Sequence, residues 1–167
     1  AAKSGGTFVT DDAAAAIATP EVEVVIDATG NPAAGIRHAL ACCAHGKHVV
    51  MLNVESDITV GRAIKRAAAK AGVVYSGAAG DEPAATLELI RFAETLGFEV
   101  IAAGKGKNNA LDIDAVPADF EAEAKARNMN PRVLVEFVDG TKTHVEMTAI
   151  ANATGLVPDV PGMHGPN

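Results

Sequence analysis

The sequence has few aromatic residues and no long apolar run. Aromatic side chains make up 4% of its 167 residues, and tryptophan is absent. This scarcity, beside abundant alanine and glycine, favours small-residue packing between helices and a sheet over aromatic stacking. No stretch of about 18 consecutive apolar residues occurs, which argues against a membrane span. The first residues lack the apolar core of a signal peptide, so we expect a cytoplasmic protein.

Basic charge and cysteine are also limited. Lysine and arginine total 14 against 21 acidic residues, which gives a net charge of −7 and argues against a nucleic-acid partner. Cys42 and Cys43 are adjacent, a spacing that disfavours a mutual disulfide and fits a reducing compartment. We expect both thiols to pack inside a helix. We expect a small-molecule substrate and a homo-oligomer, with no membrane partner.

The glycine-rich G-x-G-x-x-G turn that normally opens a dinucleotide-binding domain is absent. Gly5 and Gly6 form the nearest glycine pair, and no suitable helix pattern follows them. Residues 22–30 nevertheless resemble a later strand of such a domain. We therefore interpret the chain as an internal fragment that lacks the first βαβ units. We do not expect these residues alone to bind a dinucleotide tightly.

What the chain does contain is an alternation of apolar strands and amphipathic helices. Apolar runs predict strands at residues 22–28, 48–53, 73–77 and 98–103. Helices are predicted at residues 32–45, 57–71 and 83–96, capped by Asn31 and Asp57 and ended by Gly46 and Gly72. The pattern predicts an α/β fold, with a partial Rossmann-type parallel sheet and helices on both faces.

The last third of the chain is less regular and predicts a mostly helical substrate-binding portion. Residues 117–127 form an acidic helix pattern. Residues 131–139 and 141–154 fit either a β-hairpin around Asp139-Gly140 or two helices. Small residues at 149–153 make a poor strand and favour the helices. We place the domain boundary after residue 78, with half of a dinucleotide-binding domain before it and an incomplete substrate-binding portion after it.

Polar residues follow two of the predicted strands, where ligands bind in open α/β sheets. A strand end that leads into a helix N-terminus favours anions and close backbone approach. The plain alternative is an ordinary turn with capping side chains. The candidate cofactor contacts are Ala28, Thr29, Gly30, Asn31, Asn53 and Glu55.

A second candidate site is the turn Gly104-Lys105-Gly106-Lys107-Asn108-Asn109. On a predicted strand end, Lys105 and Lys107 point the same way. Lysines supply charge for a phosphate or a developing alkoxide, and asparagines such as Asn108 and Asn109 supply oriented hydrogen bonds. The alternative is a solvated basic turn.

Adjacent carboxylates open the helix that follows residue 80. Asp81 and Glu82 suit a helix N-terminus electrostatically, and they also suit acid–base chemistry or a divalent metal. Two oxygen ligands make only a partial metal site, so we favour Glu82 as a substrate contact and leave the metal open. Asp139 with Lys142 is a second proton-transfer pair, whose alternative is a surface ion pair. His164 lies in a rigid proline-glycine loop that is a further candidate.

Several motifs together resemble the homoserine dehydrogenase superfamily. They begin with the order VEVVIDATG…GKHVVMLNVE. They continue with SGAAGDEP at residues 76–83, GKGKNN at 104–109, NMNP at 128–131 and the proline-rich residues 158–166. The closer resemblance is to the branch with an appended SAF domain, which includes the deoxyxylulose-phosphate reductoisomerase-like (DRL) enzymes. Homoserine dehydrogenases carry a lysine where this chain has Val54, which favours the DRL branch.

The resemblance implies an NAD(P)H-dependent oxidoreductase of isoprenoid biosynthesis that acts on a small polar, phosphorylated substrate. It implies NADPH or NADH as the cofactor, with the nicotinamide over Thr29 and Asn53. Lys105 and Lys107 would then neutralise charge that develops on carbonyl or phosphate oxygens, and Glu82 or Lys142 would manage the proton. Homoserine dehydrogenase and a non-catalytic nucleotide-sensing domain are the alternatives.

Overall fold

The computed structural model describes residues 6–107 and 109–164. The chain divides into two compact units, Ala1–Ala78 and Ala79–Asn167. We describe each unit by itself.

The first unit is built from a small parallel sheet and three helices. Its elements are α1 (Ala13–Ala18), β1 (Val24–Asp27), α2 (Pro32–Ala44), β2 (His48–Met51), α3 (Val54–Ala71) and β3 (Tyr75–Gly77). The strand order is β1-β2-β3, with Val25 opposite Val49 and Val49 opposite Tyr75. The predicted α/β class with a parallel sheet is confirmed. β1, β2 and β3 lie within three of the predicted strands, and α1 was not predicted.

The core of this unit lies on one face of the sheet. Ile17 from α1, Cys42 from α2 and Ile64 from α3 pack around Val49 and Met51 of β2. On the opposite face Val24 and Ile26 of β1 are 50% and 66% exposed. The three helices therefore cover one face in this unit, whereas the sequence pattern predicted helices on both.

Short polar side chains set the start of each long helix in the first unit. Asn31 accepts a hydrogen bond from the Ala34 amide at 3.0 Å, and Pro32 follows it as predicted. The prediction that Asp57 caps α3 is wrong, because the helix begins three residues earlier at Val54. Asn53 caps it instead, and the carboxylate of Asp57 accepts a hydrogen bond from the Tyr75 hydroxyl at 2.7 Å.

Close packing of α2 against the start of α3 depends on Gly35. A Cβ atom at this position would lie 2.5 Å from Ser56 Oγ and 2.8 Å from Asn53 Nδ2. We expect Gly35→Ala to lower the free energy of unfolding by roughly 1–3 kcal/mol, because buried polar neighbours must move. Urea denaturation measures this change. Gly77→Ala is the control, since its Cβ meets no atom within 4 Å. Equal stability of the two variants would contradict the prediction.

The regular structure of the second unit, over residues 79–107 and 109–164, is entirely helical. It contains α4 (Glu82–Thr95), a 3-10 helix (Pro117–Phe120), α5 (Glu121–Arg127), α6 (Pro131–Glu136) and α7 (Thr141–Thr154). Asp139-Gly140 separates two helices, so the helical interpretation of residues 131–154 is confirmed and the hairpin is wrong. Gly155 ends α7 with φ of 79°.

The prediction of a strand at residues 98–103 is wrong. This segment has no regular structure, and Phe98 and Ile101 are 65% and 85% exposed. An apolar run becomes a buried strand only when a neighbouring strand accepts its hydrogen bonds. The described strands all belong to the first unit, so this run is an irregular connection between α4 and the lysine-bearing residues 104–107.

Two further sequence expectations concern membranes and thiols. No helix among the described residues is long and apolar enough to cross a membrane. Cys42 and Cys43 are free, buried thiols in α2, as predicted. Burial raises the pKa of Cys42 to about 11, with the neighbouring Cys43 and Asp27 adding to the effect.

Candidate functional site

The first unit gathers polar side chains where β1 and β2 end. Asp27, the last residue of β1, is 3% exposed. Its Oδ1 accepts hydrogen bonds from Thr29 Oγ1 at 2.9 Å and from Asn53 Nδ2 at 3.3 Å. Its Oδ2 lies 2.7 Å from His38 Nδ1. Burial pushes the pKa of Asp27 upward, but the hydrogen bonds from His38, Thr29 and Asn53 lower it overall, so the carboxylate stays charged.

Asn53 joins the two strand ends. Its Nδ2 donates to the Asn31 carbonyl at 2.9 Å and lies 3.3 Å from Thr29 Oγ1, while its Oδ1 caps α3. The Asn53 side chain is therefore occupied within the protein and holds the loop 28–31 against α3. Thr29, Gly30 and Asn31 are exposed, and Gly30 has φ of 61°. The residues of this loop that precede α2 are therefore accessible from solvent at the N-terminus of that helix.

The structure brings most of the predicted cofactor contacts together. Thr29, Asn31 and Asn53 share the network just described, and Ala28 is an exposed neighbour between β1 and Thr29. Glu55 lies in the first turn of α3, two residues beyond Asn53. Their role in binding a cofactor remains a prediction. Asp27 and His38 were not predicted, although a carboxylate at the end of a buried strand is a usable signal.

The second unit contains a charged cluster between α4 and α7. Asp81 caps α4, Glu82 is the first residue of that helix, and Glu146 lies in the middle of α7. Lys105 reaches both helices: its Nζ lies 3.2 Å from Glu82 Oε1 and also donates to Glu146 Oε2. Lys142 Nζ lies 3.9 Å from Glu146 Oε1. The Glu146 side chain is only 1% exposed, so this is a buried carboxylate held by a lysine.

The environment shifts the protonation of these groups in different directions. Burial raises the pKa of Glu146, against the opposing effect of Lys105. Burial and a hydrogen bond with Glu82 raise the pKa of Asp81, whereas that same hydrogen bond lowers the pKa of Glu82. Glu82 is therefore the stronger acid of these two coupled carboxyl groups. Burial alone would lower the pKa of Lys105, but its hydrogen bonds to Glu146 and Glu82 raise it and keep the amine charged.

These groups line an open cleft of about 680 Å³. Lys107 and Asn109 lie on its wall, where Lys107 Nζ donates to the Phe137 carbonyl at 2.5 Å and Asn109 Nδ2 donates to the same oxygen at 3.4 Å. Lys105 and Lys107 therefore reach different partners, because the turn does not extend a strand. Asn108 lies outside the described residues. The cleft combines cations, carboxylates and an amide, a set suited to binding a small anion.

The same carboxylates were predicted as possible metal ligands. One oxygen from each of Asp81, Glu82 and Glu146 lies within 4.8 Å of the other two. An oxygen-only set of this kind suits Mg²⁺ or Mn²⁺. Lys105, however, already donates to two of the three carboxylates. The donor atoms fit a divalent ion only after this lysine has moved.

Other predicted residues have structural contacts. Asp139 accepts hydrogen bonds from the Thr141 amide at 2.8 Å and hydroxyl at 3.0 Å, at the start of α7. Lys142 contributes to the cleft through Glu146. His164 Nε2 lies 3.0 Å from Asp159 Oδ2 on the surface. Glu146 was missed, although its position four residues after Lys142 on a helix was a signal for an ion pair.

The chain matches no protein of curated function. It is similar to the solved structure of yvaA from Bacillus subtilis in a triclinic crystal form, with 23% identity and a TM-score of 0.41. That match covers 65% of this chain and 32% of the other, so the chain corresponds to about a third of that protein.

One protein family matches over a continuous half of the chain. Its description is "oxidoreductase DRL, catalytic domain", and the match runs over residues 80–167. This range begins at the second compact unit and contains the whole charged cluster around Lys105 and Glu146. The chain therefore belongs to the DRL oxidoreductase family, and its second unit corresponds to the catalytic domain.

Proposed function

We propose that the protein reduces a carbonyl group of a small anionic substrate, with hydride supplied by NADPH or NADH. The observation that carries this proposal is the coincidence of the family's catalytic domain with the cleft around Lys105. The first unit contributes the cofactor contacts, and the second contributes the substrate contacts. When bound, the nicotinamide supplies the hydride, and the residues of this chain supply orientation and charge.

Lys105 is the group that we assign to the developing negative charge. Glu82 and Glu146 hold its ammonium in place, and the Lys105 side chain is 18% exposed to the cleft. A preorganised cation beside a carbonyl oxygen stabilises the alkoxide that forms when hydride arrives. Lys107 and Asn109, on the same wall, are suited to a phosphate or carboxylate group of the substrate. A phosphorylated substrate such as deoxyxylulose phosphate fits this arrangement.

Proton transfer is assigned to Lys105 and Glu82. Hydride addition to a carbonyl leaves an alkoxide that must gain one proton. Glu82 is half-exposed and accepts a hydrogen bond from the Lys105 ammonium, so Lys105 can donate that proton and Glu82 can return one to it from solvent. Asp81, Glu82 and Glu146 would hold a divalent metal if Lys105 moved away, and such a metal would polarise substrate oxygens.

The proposed function is tested by NADPH fluorescence titration followed by NADPH consumption with deoxyxylulose phosphate, on this chain and on a version extended at its N-terminus. We expect the extended version to bind NADPH and to oxidise it when the substrate is present. Glu82→Gln should retain NADPH binding and lose most of the turnover, because it removes a carboxylate that positions Lys105 and returns its proton. Formation of NADPH from NADP⁺ in the presence of homoserine would reassign the substrate, because homoserine is an alcohol and is oxidised in such a reaction. Binding without turnover for either compound would indicate a sensing domain, and absence of NADPH binding by the extended version would overturn the proposal.

A further inference from the structure

A second cavity lies beside the charged cleft in the same unit. It has a volume of about 510 Å³, and Lys105, Lys107 and Thr143 line both spaces. Beyond these three residues the second cavity is walled mainly by hydrocarbon. The apolar side chains are Ile101, Met147, Ile150, Leu156, Val157 and Met163.

The distribution of charge in this cavity is uneven. Lys105 and Lys107 lie on the wall that this cavity shares with the charged cleft, and both side chains also line that cleft. Three further polar side chains line the cavity. His144 is exposed on α7, and the Asp159 carboxylate and the His164 imidazole are largely exposed and paired with each other at 3.0 Å. Ile150, which is 3% exposed, closes the apolar wall. A ligand group in this cavity would therefore contact carbon on most sides and cations on one side.

Binding methylene groups in this cavity is favourable, because apolar surface of both the ligand and the protein is removed from contact with water. Its volume lies in the range of small-molecule sites. The shared lysines place an anion-binding wall directly beside the apolar one. A compound with a charged head and a hydrocarbon segment satisfies both parts, whereas a fully polar compound leaves the apolar walls unused.

We propose that the substrate is an amphipathic anion whose head lies against Lys105 and Lys107 and whose short aliphatic segment occupies the second cavity. This inference rests on the proposed function, since it assumes that the charged cleft holds the reacting part of the substrate. It narrows the substrate class from small anions in general to anions that carry a hydrocarbon segment beside the reacting carbon, of which the methyl group of deoxyxylulose phosphate is the shortest.

The test uses n-alkyl phosphates of increasing chain length, with inorganic phosphate as the zero-length member. Isothermal titration calorimetry on the whole chain, without cofactor, gives each dissociation constant. We expect affinity to rise by about threefold to fourfold with each added methylene until the cavity is full, and then to level off. Affinity that is independent of chain length in the unaltered protein would overturn the proposal, as would a failure of every member to bind.

Matched variants test whether the alkyl chain binds in this cavity. Ala151→Phe projects a ring into the cavity from α7, and Ala102→Phe does so from the irregular segment 98–103. Both should abolish the chain-length dependence while inorganic phosphate binds as before. Ala153→Phe is the control, because it lies on the exposed part of the same helix and does not line the cavity. If Ala151→Phe fails to fold, Ala102→Phe decides the question, since that residue lies outside any helix or strand.

The two proposals fail separately. Alkyl phosphate binding without cofactor reports only on the cavity, whereas NADPH oxidation reports only on the reaction. A chain-length dependence that persists in both phenylalanine variants would place the hydrocarbon elsewhere and overturn the inference, even if NADPH oxidation is observed. Normal cavity binding with no NADPH binding by the extended version would overturn the proposed function and leave the amphipathic site as a binding site.

Discussion

Replacing Lys105 with alanine should lower kcat/KM for NADPH-dependent reduction by about 10²- to 10³-fold, which is the usual cost of losing one preorganised charge at a reacting oxygen. The reason is geometric. Two carboxylates on different helices hold the ammonium of Lys105, so no other side chain moves into its place without rearranging both. NADPH consumption at several substrate concentrations measures the change.

The control for this variant is Lys125→Ala, an exposed lysine in the last turn of α5. It removes the same charge from the same unit without touching the cleft. We expect its kcat/KM to stay within about twofold of the unaltered protein, because removing an exposed charge far from a site has a small effect. An equal loss in both variants would show that net charge, and not the position of Lys105, accounts for the activity.

The largest effect on stability should come from breaking the pair between Lys105 and Glu146. Lys105→Met keeps an unbranched side chain out to Cε but removes the ammonium, which leaves the Glu146 carboxylate without its hydrogen-bonded partner. Breaking a buried ion pair from one side typically costs about 3–5 kcal/mol. Urea denaturation at neutral pH should show a loss of this size. Lys125→Met, at an exposed position, should show a loss below about 0.5 kcal/mol.

The double variant Lys105→Met/Glu146→Leu distinguishes an uncompensated charge from lost packing. Removing both partners leaves no buried carboxylate without its lysine, so we expect most of the lost stability to return. A double variant as unstable as Lys105→Met alone would show that the carboxylate is not the source of the loss.

The stability loss of Lys105→Met should also depend on pH. Burial already raises the pKa of Glu146 above its ordinary value of 4.5, and losing the lysine raises it further. The folded state then binds a proton that the unfolded state releases, so stability falls as pH rises from the ordinary value towards the raised one. We expect the deficit to be nearly absent below about pH 4 and complete well above the raised pKa. A deficit that is equal at pH 4 and pH 7 would contradict this account.

Much of the first unit is predictable from sequence because its signals are local. Asn31 and Pro32 mark the start of α2, and Gly72 ends α3 with φ of 71°. Asp57 misled the prediction because a carboxylate one turn into a helix resembles a cap. Only the structure shows that it binds the Tyr75 hydroxyl instead. Capping depends on where the preceding strand ends, which a local pattern does not determine.

The second unit shows why the site was only half predicted. Lys105, Asp81 and Glu82 stand out by composition, since charges and glycines cluster around them in the sequence. Glu146 lies in an ordinary helix sequence 41 residues from Lys105, and only the packing of α7 against α4 buries it. The prediction of a strand at residues 98–103 was wrong because the local sequence lacks the deciding information. An apolar run suggests burial, but it does not show whether a neighbouring strand is available to pair with it.

The two adjacent free thiols of α2 determine how the protein responds to oxidants and alkylating agents. With a pKa of about 11, only about one Cys42 side chain in ten thousand is a thiolate at pH 7. The thiolate is the form that peroxides and alkylating agents attack, and both sulfurs are buried as well. Oxidative damage to this pair therefore requires the first unit to open, so its redox resistance is set by how often that small core unfolds.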